Sequence, residues 1–479
     1  MLRLAIAFEL RALLRRRSAA VALGAFLAVG AIALLVGKGR VTQWREEVAK
    51  AQRAQDESIA EARDLFAQGR TSPADEPWID LREPSWQDTY AGTRVTRVAG
   101  PLAGIAAGAV DSAPVAFKLD RNANPLTTGG YRIENPELQA GSVDLVFVLG
   151  ILLPLLLGVL GLEVGARERQ EGIDRLVAIY AGQTRGFLVP RVVAVAFIAG
   201  TSATLVCVGA GLAFGAGPRA LASLVGAALL HTAAWSGLLL AVVARAPSVR
   251  SAAFAFGTLW MVLAVLLPTA AAEVALSRVP PDFVLAESVD ARASRRDVWE
   301  REDAAALRDL YALLPELRRS PVAAETPPLD RDRGRAAKRL LAAAQRVERH
   351  RARRAEEVRA QAVSEQAAWL TPVVALGLAL ERLAGVGPEA ASAYREHLVA
   401  AVEARARWVV TKAWTKAPLG ANDFEALIAA APQAHRATRE GWSAPLLPIL
   451  VWALVAWMAA LTMLAAGERP ARTTPRDPR

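Results

Sequence analysis

Histidines, cysteines and paired acids are the side chains that most often hold a metal or move a proton, and this 479-residue chain spaces them poorly for either task. Its four histidines, His231, His350, His397 and His435, lie far apart in sequence and lack the short ligand spacing of a zinc site. The single cysteine, Cys207, excludes an internal disulfide and stands in an apolar run, where a small buried hydrophobe is the expected role. There is no G-x-x-x-x-G-K-[ST] loop to cradle phosphates, no H-E-x-x-H and no G-x-S-x-G. An enzyme is therefore not expected, nor a metal site or a cofactor bound directly by this chain. His231 is the one intramembrane polar candidate: it stands inside an apolar segment, four residues before Trp235, where a polar side chain needs either a function or a partner on a neighbouring helix. Glu273 stands near the end of another such segment, within reach of the interface.

A second group of residues points to contact rather than catalysis. In the stretch from Arg167 to Arg191, Ile173, Leu176, Val177 and Tyr180 fall on one face of a helix, with Gln170, Glu171, Asp174 and Arg175 opposite. Gly172 stands near the start, Ala181-Gly182 gives a C-cap signal, and Thr184 caps a following helix that runs through Arg185 and Pro190. Such a short amphipathic helix either rests on lipid headgroups or lays its apolar face in a groove of a partner. Force on it would tilt the apolar segments on both sides together.

The elements that position these residues are long apolar helices. Crossing a bilayer takes about 20 largely apolar residues. Six segments reach that length: 18–36, 143–162, 192–214, 221–243, 251–276 and 444–466. Composition agrees, with 53% hydrophobic residues and a mean hydropathy of +0.25, while 22% charged residues require sizeable water-exposed parts. The net charge of +10 fits arginines at a membrane surface better than nucleic-acid binding, since no aromatic-interleaved basic patch or finger spacing is present.

Arginines set the orientation. Arg3, Arg11, Arg15, Arg16 and Arg17 precede the first segment; Arg167, Arg169, Arg175, Arg185 and Arg191 follow the second; Arg245 and Arg250 separate the fourth from the fifth; Arg469, Arg472, Arg476 and Arg479 end the chain. Six crossings put all of them on one side, which the positive-inside rule makes the cytoplasm, with both termini there. The expected fold is an all-α integral membrane protein of six transmembrane helices with two extracytoplasmic domains, the second mainly helical. Its parts are a cytoplasmic N-terminal segment 1–17, a first outer domain 37–142, the cytoplasmic loop 163–191, a helical outer domain 277–443 and a cytoplasmic tail 467–479. A polar helix is expected from Trp44 to Gln68, and an arginine-rich helix laced with ion pairs from Arg331 to about Gln366. Residues 370–387 are nearly long enough to span, but Glu381 and Arg382 are costly at mid-bilayer, so an amphipathic or buried helix of the outer domain is expected. No internal repeat is apparent.

The loop resembles that of the ABC-2 type transporter permeases, which follow their second span with an acidic E-R-x-x-G-T-L stretch and then a small-x-[ST]-R turn and a basic residue before the third. Glu168-Arg169-Gln170-Glu171-Gly172-Ile173 matches the first part, with Ile173 in place of Thr, and Gln183-Thr184-Arg185 and Arg191 match the second. Residues 135–156 resemble the family's lead-in to span two. The resemblance is closest to the subgroup of multi-copper-enzyme maturation and gliding-type permeases, which inserts large outer domains after spans one and five; residues 101–119 and 370–387 resemble parts of those domains. The resemblance implies that two permease copies, or a copy and a paralogue, pair in the bilayer over separate ABC ATPase subunits that bind ATP and Mg. It makes the helix around 172–180 a coupling helix, with Arg169, Glu171, Gly172, Ile173, Leu176, Val177, Tyr180 and Arg185 as the ATPase-coupling residues. It also makes residues 1–17 a connecting helix on the inner face of a bacterial cytoplasmic membrane, although a plain basic anchor explains that segment equally. It names no cargo, and with 4 Met and no Met/His/Cys cluster the chain shows no copper ligands. A membrane-anchored scaffold or sensor, whose outer domains bind a periplasmic or extracellular partner, is the alternative.

Overall fold

A computed structural model describes residues 2–112, 114–119, 143–173, 184–277, 289, 292–293, 296–320, 331–415, 418–430, 434–436 and 446–467. Helix α1 (Leu2–Arg15) ends at Arg16, whose extended backbone separates it from α2 (Arg17–Ala67). With no proline to break it, α2 carries its apolar start and its polar continuation as one rod of 51 residues, about 77 Å at 1.5 Å per residue. Along the chain follow α3 (Pro84–Tyr90), β1 (Arg94–Val98), β2 (Ala116–Lys118), α4 (Leu145–Gly161), α5 (Ala166–Gln170), α6 (Thr184–Phe214), α7 (Pro218–Arg245) and α8 (residues 249–276). Then come α9 (Asp303–Leu313), α10 (Arg331–Leu370), α11 (Pro372–Ala384), α12 (Pro388–Ala413), α13 (Ala421–Ala429), β3 (His435–Arg436) and α14 (Leu447–Gly467).

Five helices, α2, α6, α7, α8 and α14, are long and apolar enough to cross a membrane, and α4 is a shorter apolar helix. They form a bundle whose tightest approaches run through glycine. A Cβ on Gly237 of α7 would lie 2.8 Å from the backbone of α14 at Ala456 and Trp457, and one on Gly161 of α4 would lie 2.5 Å from Leu239 of α7. Small residues let helix backbones come this close where no hydrophobic drive from water is available.

The chain does hold a short repeat. Val148-Leu149-Gly150-Ile151-Leu152-Leu153-Pro154 in α4 and Val262-Leu263-Ala264-Val265-Leu266-Leu267-Pro268 in α8 share one pattern. In each, the five residues before Leu-Pro form a π turn, Val148–Leu152 and Val262–Leu266. The cause is the proline, which lacks an N–H and whose ring crowds the carbonyl four residues back. Widening the turn relieves the clash but leaves main-chain carbonyls without partners in their own helix.

At the end of the bundle away from the 163–191 loop, the two long insertions fold together. β1 pairs antiparallel with β2 (Val95 opposite Phe117) and parallel with β3 (Arg97 opposite His435). Val95, Phe117 and Leu119 pack on Tyr394 and Leu398 of α12, and Ile59, Ala62 and Leu65 of α2 pack on Phe424 and Leu427 of α13. The Trp44 indole donates to the Arg97 carbonyl at 2.7 Å, and the Arg97 guanidinium stacks 4.3 Å from the Trp44 ring. Asp88 of α3 is held by Arg405 of α12 at 2.8 Å and by Arg339 of α10. Helix α10 carries the ion pairs expected of it, among them Lys338–Asp303 and Arg354–Glu396.

Residues 370–387 differ from the sequence reading. Their helix, α11, is buried, but much of it packs among the bundle helices. Ala375, Leu376, Ala379 and Leu380 join the same core as α4, α6 and α7. The chain comes down α10, reverses at Thr371-Pro372 and returns up α11. The apolar run 372–380 makes the tip and first turns of this hairpin, with Glu381 and Arg382 following it, so the segment reaches the bundle core without having to cross it end to end.

Candidate partner-docking site at the loop end of the bundle

The loop after α4 is built from glycine and arginine. Gly165 begins α5 at φ +73°, and a Cβ there would meet Leu188 Cδ2 at 2.3 Å, so the position excludes a side chain twice. One turn later Arg169 points back into the bundle. Its Nε donates to the Ala246 carbonyl at 2.8 Å and its Nη2 to the Val243 carbonyl, satisfying the C-terminal end of α7 with a cation, which the helix dipole favours. The Val249 N–H, at the start of α8, donates to Gln170 Oε1 at 3.2 Å. Two adjacent residues of α5 thus fasten one helix end and the next helix start.

Arg191 fastens the others. Its side chain is 6% exposed; Nε lies 2.5 Å from Glu9 of α1, Nη1 lies 2.6 Å from Glu168 of α5, and its guanidinium stacks 4.7 Å from the Phe187 ring. Nearer solvent, Glu163 pairs with Arg16 at 3.0 Å and Arg167 at 3.5 Å, and Arg167 pairs with Glu171 at 2.8 Å. The Glu171 hydrogen bond and charge raise the Arg167 pKa further above its ordinary value.

At Gly172 and Ile173 the chain reaches solvent. Gly172 has φ +71° with open space where a Cβ would stand, and Ile173 is exposed. Of the eight residues expected to couple to a partner, the structure brings Arg169, Glu171, Gly172 and Ile173 together on and just after α5. Leu176, Val177 and Tyr180 lie outside the described residues. Arg185 belongs to the first turn of α6, and its side chain is not among those described.

Sequence reasoning missed Glu9 and the inward role of Glu168. The signal for Glu9 was present: it is the only acid before Glu46, among five arginines in the first seventeen residues. An isolated acid on a basic helix next to a membrane is best placed facing a buried cation.

His231 lies half-way along α7, fully buried, edge-on to Trp235 with ring centroids 6.3 Å apart. The carbonyls of Gly150 and Pro372 lie beside it, but neither completes a hydrogen bond with either ring nitrogen. His397 and His435, remote in sequence, stack with centroids 5.3 Å apart, beside Tyr394. Burial and the nearby His397 and Arg97 hold the His435 pKa below its ordinary value. Among the described residues no three His, Cys, Asp or Glu side chains gather closely enough to hold a metal ion.

Residues 286–429, covering α9 to α13, match a family described as Domain of unknown function (DUF3526). No curated protein and no solved structure matches the chain.

Proposed function

We propose that the chain is the membrane-spanning subunit of an ATP-driven transporter of the ABC-2 permease type, with ATP and Mg bound by separate ABC ATPase subunits. The observation that carries this reading is the fastening of α5. It bonds to α6 through Glu168 and Arg191, whose guanidinium also holds Glu9 of α1, to α7 through Arg169 and to α8 through Gln170. A push on the end of α5, at Gly172 and Ile173, is therefore delivered to four helices at once, as a lever between a cytoplasmic motor and the bundle requires. The matched domain family is often found in ABC-2 permease-like proteins, which supports the same reading. In this reading the loop end faces the cytoplasm of a bacterial inner membrane, both termini lie there, and two copies or a copy and a paralogue pair in the bilayer. A membrane-anchored scaffold or sensor is the second reading, favoured by the joined outer body on its long α2 stalk.

Pull-down through this subunit from native membranes tests the proposal. Replacing Ile173, Leu176 and Val177 together by Asp should remove the ATPase from the complex while the subunit itself remains folded. Unchanged co-purification would end the docking role of that face, and robust ATP hydrolysis by the purified chain alone would sink the reading.

A further inference from the structure

Three interruptions of regular helix meet at one depth in the bundle: the π turn of α4, the π turn of α8 and the reversal between α10 and α11. Each leaves main-chain carbonyls in need of partners. In α8 the Leu267 N–H goes to the Val262 carbonyl, and the next residue, Pro268, has no N–H, so the Leu263 carbonyl is left without a partner in its own helix. The Thr371 hydroxyl at the hairpin tip fills that need, donating at 2.5 Å. In α4 Pro154 leaves the Gly150 carbonyl without its i+4 donor, and that carbonyl faces His231. The Trp260 indole of α8 reaches across to the Ile151 carbonyl at 3.3 Å. Under the tip, both His231 ring nitrogens and the Trp235 indole nitrogen are buried without hydrogen-bond partners.

This seat is poorly matched to what occupies it. Buried polar groups in an apolar bundle are costly when unpaired, so seating the tip over His231 and Trp235 works against the apolar contacts that hold it. Residues 145–161, 192–214, 251–272, 372–380 and 447–466 contain no Asp, Glu, Lys or Arg, so these stretches offer the tip no ion pair. The ion pairs of the hairpin join its own parts instead: Arg382 of α11 binds Glu365 of α10 at 2.6 Å and Glu389 at the start of α12 at 2.5 Å. Gln361 of α10 donates to Glu389 at 2.6 Å. The two arms are stapled to each other and to the outer body, while the tip meets the bundle through apolar surface and the Thr371 hydrogen bond.

We propose that the α10–α11 hairpin is a removable wedge: seated between the two π turns over His231 it closes the bundle at the outer-body end, and it withdraws as a unit with the outer body. Withdrawal leaves the Leu263 carbonyl free to accept, the Trp235 N–H free to donate, and His231 free to do either, with water or with the polar part of another molecule. The proposal does not depend on whether an ATPase docks at the other end.

Cysteine accessibility in the full-length protein in lipid nanodiscs tests it, with Cys207→Ala as background. Leu376→Cys places a thiol on α11 at a fully buried seat position, and Leu239→Cys places one equally buried within α7. A small neutral maleimide should label Leu376→Cys at least tenfold faster than Leu239→Cys, which reacts only through global opening. Thr371→Val, which leaves the Leu263 carbonyl unpaired, should speed labelling at 376 further, and His231→Leu, which removes the unpaired ring, should slow it. The opposite signs are the signature, since a merely structural role makes both substitutions loosen the protein. Equal labelling at 376 and 239, or a shift in the same direction for both substitutions, overturns the wedge. Folding is checked separately by oxidative cross-linking of Val146→Cys with Gly377→Cys, positions where an added Cβ on Gly377 lies 3.7 Å from Val146 Cγ1. Cross-linking that fails in the seated protein also overturns the proposal.

Discussion

The Arg191 guanidinium stands 2.5 Å from the Glu9 carboxylate, and both side chains are almost wholly enclosed, at 6% and 0% exposure. The pair joins the first helix of the chain to the base of α6, across 182 residues of sequence. Glu168 shares the same cation, so one arginine holds α1, α5 and α6 in register.

Removing the cation should therefore cost far more than removing a surface charge. Arg191→Leu leaves two carboxylates facing each other without a counter-ion, and about 3–5 kcal/mol of stability should be lost. Glu9→Gln leaves Glu168 in place and should cost less. Thermal unfolding of the full-length protein in one detergent should rank wild type above Glu9→Gln above Arg191→Leu. An Arg191→Leu protein as stable as Arg167→Leu, whose side chain is largely exposed, would contradict the enclosed-cation account.

Two glycines in the loop separate conformational from steric demand. Gly165 and Gly172 have nearly the same backbone, φ +73° and +71°, yet only Gly165 has Leu188 in the place of a side chain. Gly172→Ala should cost about 1 kcal/mol, the strain of a left-handed residue. Gly165→Ala carries that strain plus a clash in the core and should destabilise α5 by clearly more. Hydrogen exchange of the α5 and α6 amides is the readout, and equal protection in the two variants would refute the packing argument.

The sequence states its long apolar helices openly, because about 20 apolar residues without a charge have few other uses. The loop arginines are equally legible as a charge pattern, but not where they point. Arg169 reads as part of an acidic-basic surface stretch and in fact caps α7 from below. Glu9 is one letter in a basic helix until α6 is placed beside it. The course of α11 is hidden because Glu381 and Arg382 argue against a span, and only the three-dimensional path shows α10 leading into the bundle and α11 leading back out. The two π turns were legible in principle, since both prolines follow the same V-L-[GA]-[IV]-L-L pattern, but proline alone does not reveal which partner takes the freed carbonyl.

The outer body depends on one acid. Asp88 is 1% exposed and answers both Arg405 and Arg339. Burial, with the Arg339 charge added and the Asp88 pairing opposing, leaves the Arg405 guanidinium below its ordinary pKa. Asp88→Asn keeps the shape but leaves two guanidinium groups together without an anion, at a cost of about 3–5 kcal/mol. Limited proteolysis should then cut the outer body, α3 and α12 included, while the apolar bundle stays protected. Loss of the whole protein at once would mean that the outer body and the bundle unfold as one unit.

Glu381 gives the hairpin a pH dependence of known sign. Burial, with the charge of Asp144 and Glu389 added and Arg382 opposing, pushes its carboxyl up to about 7, from an ordinary value of 4.5. A carboxyl whose pKa is raised by folding favours the folded state while it is protonated. Its contribution is fully present below about pH 4.5 and is lost as pH rises through about 7. Over that window the change is on the order of 2 kcal/mol for a group at the bundle's edge. The affected contact is the C-terminal half of α11, near Asp144, whose carboxylate caps the start of α4 and adds a second negative charge. Raising the pH from 5 to 8 should therefore lower the stability of the hairpin and speed labelling at Leu376→Cys relative to Leu239→Cys, the ratio cancelling the greater reactivity of any thiolate at high pH. Glu381→Gln, which is neutral at every pH, should flatten that response while leaving the Arg382–Glu365 pair intact. A 376-to-239 labelling ratio that is the same at both pH values with Glu381 present, or a Glu381→Gln protein that keeps the full response, would assign the pH dependence to another group.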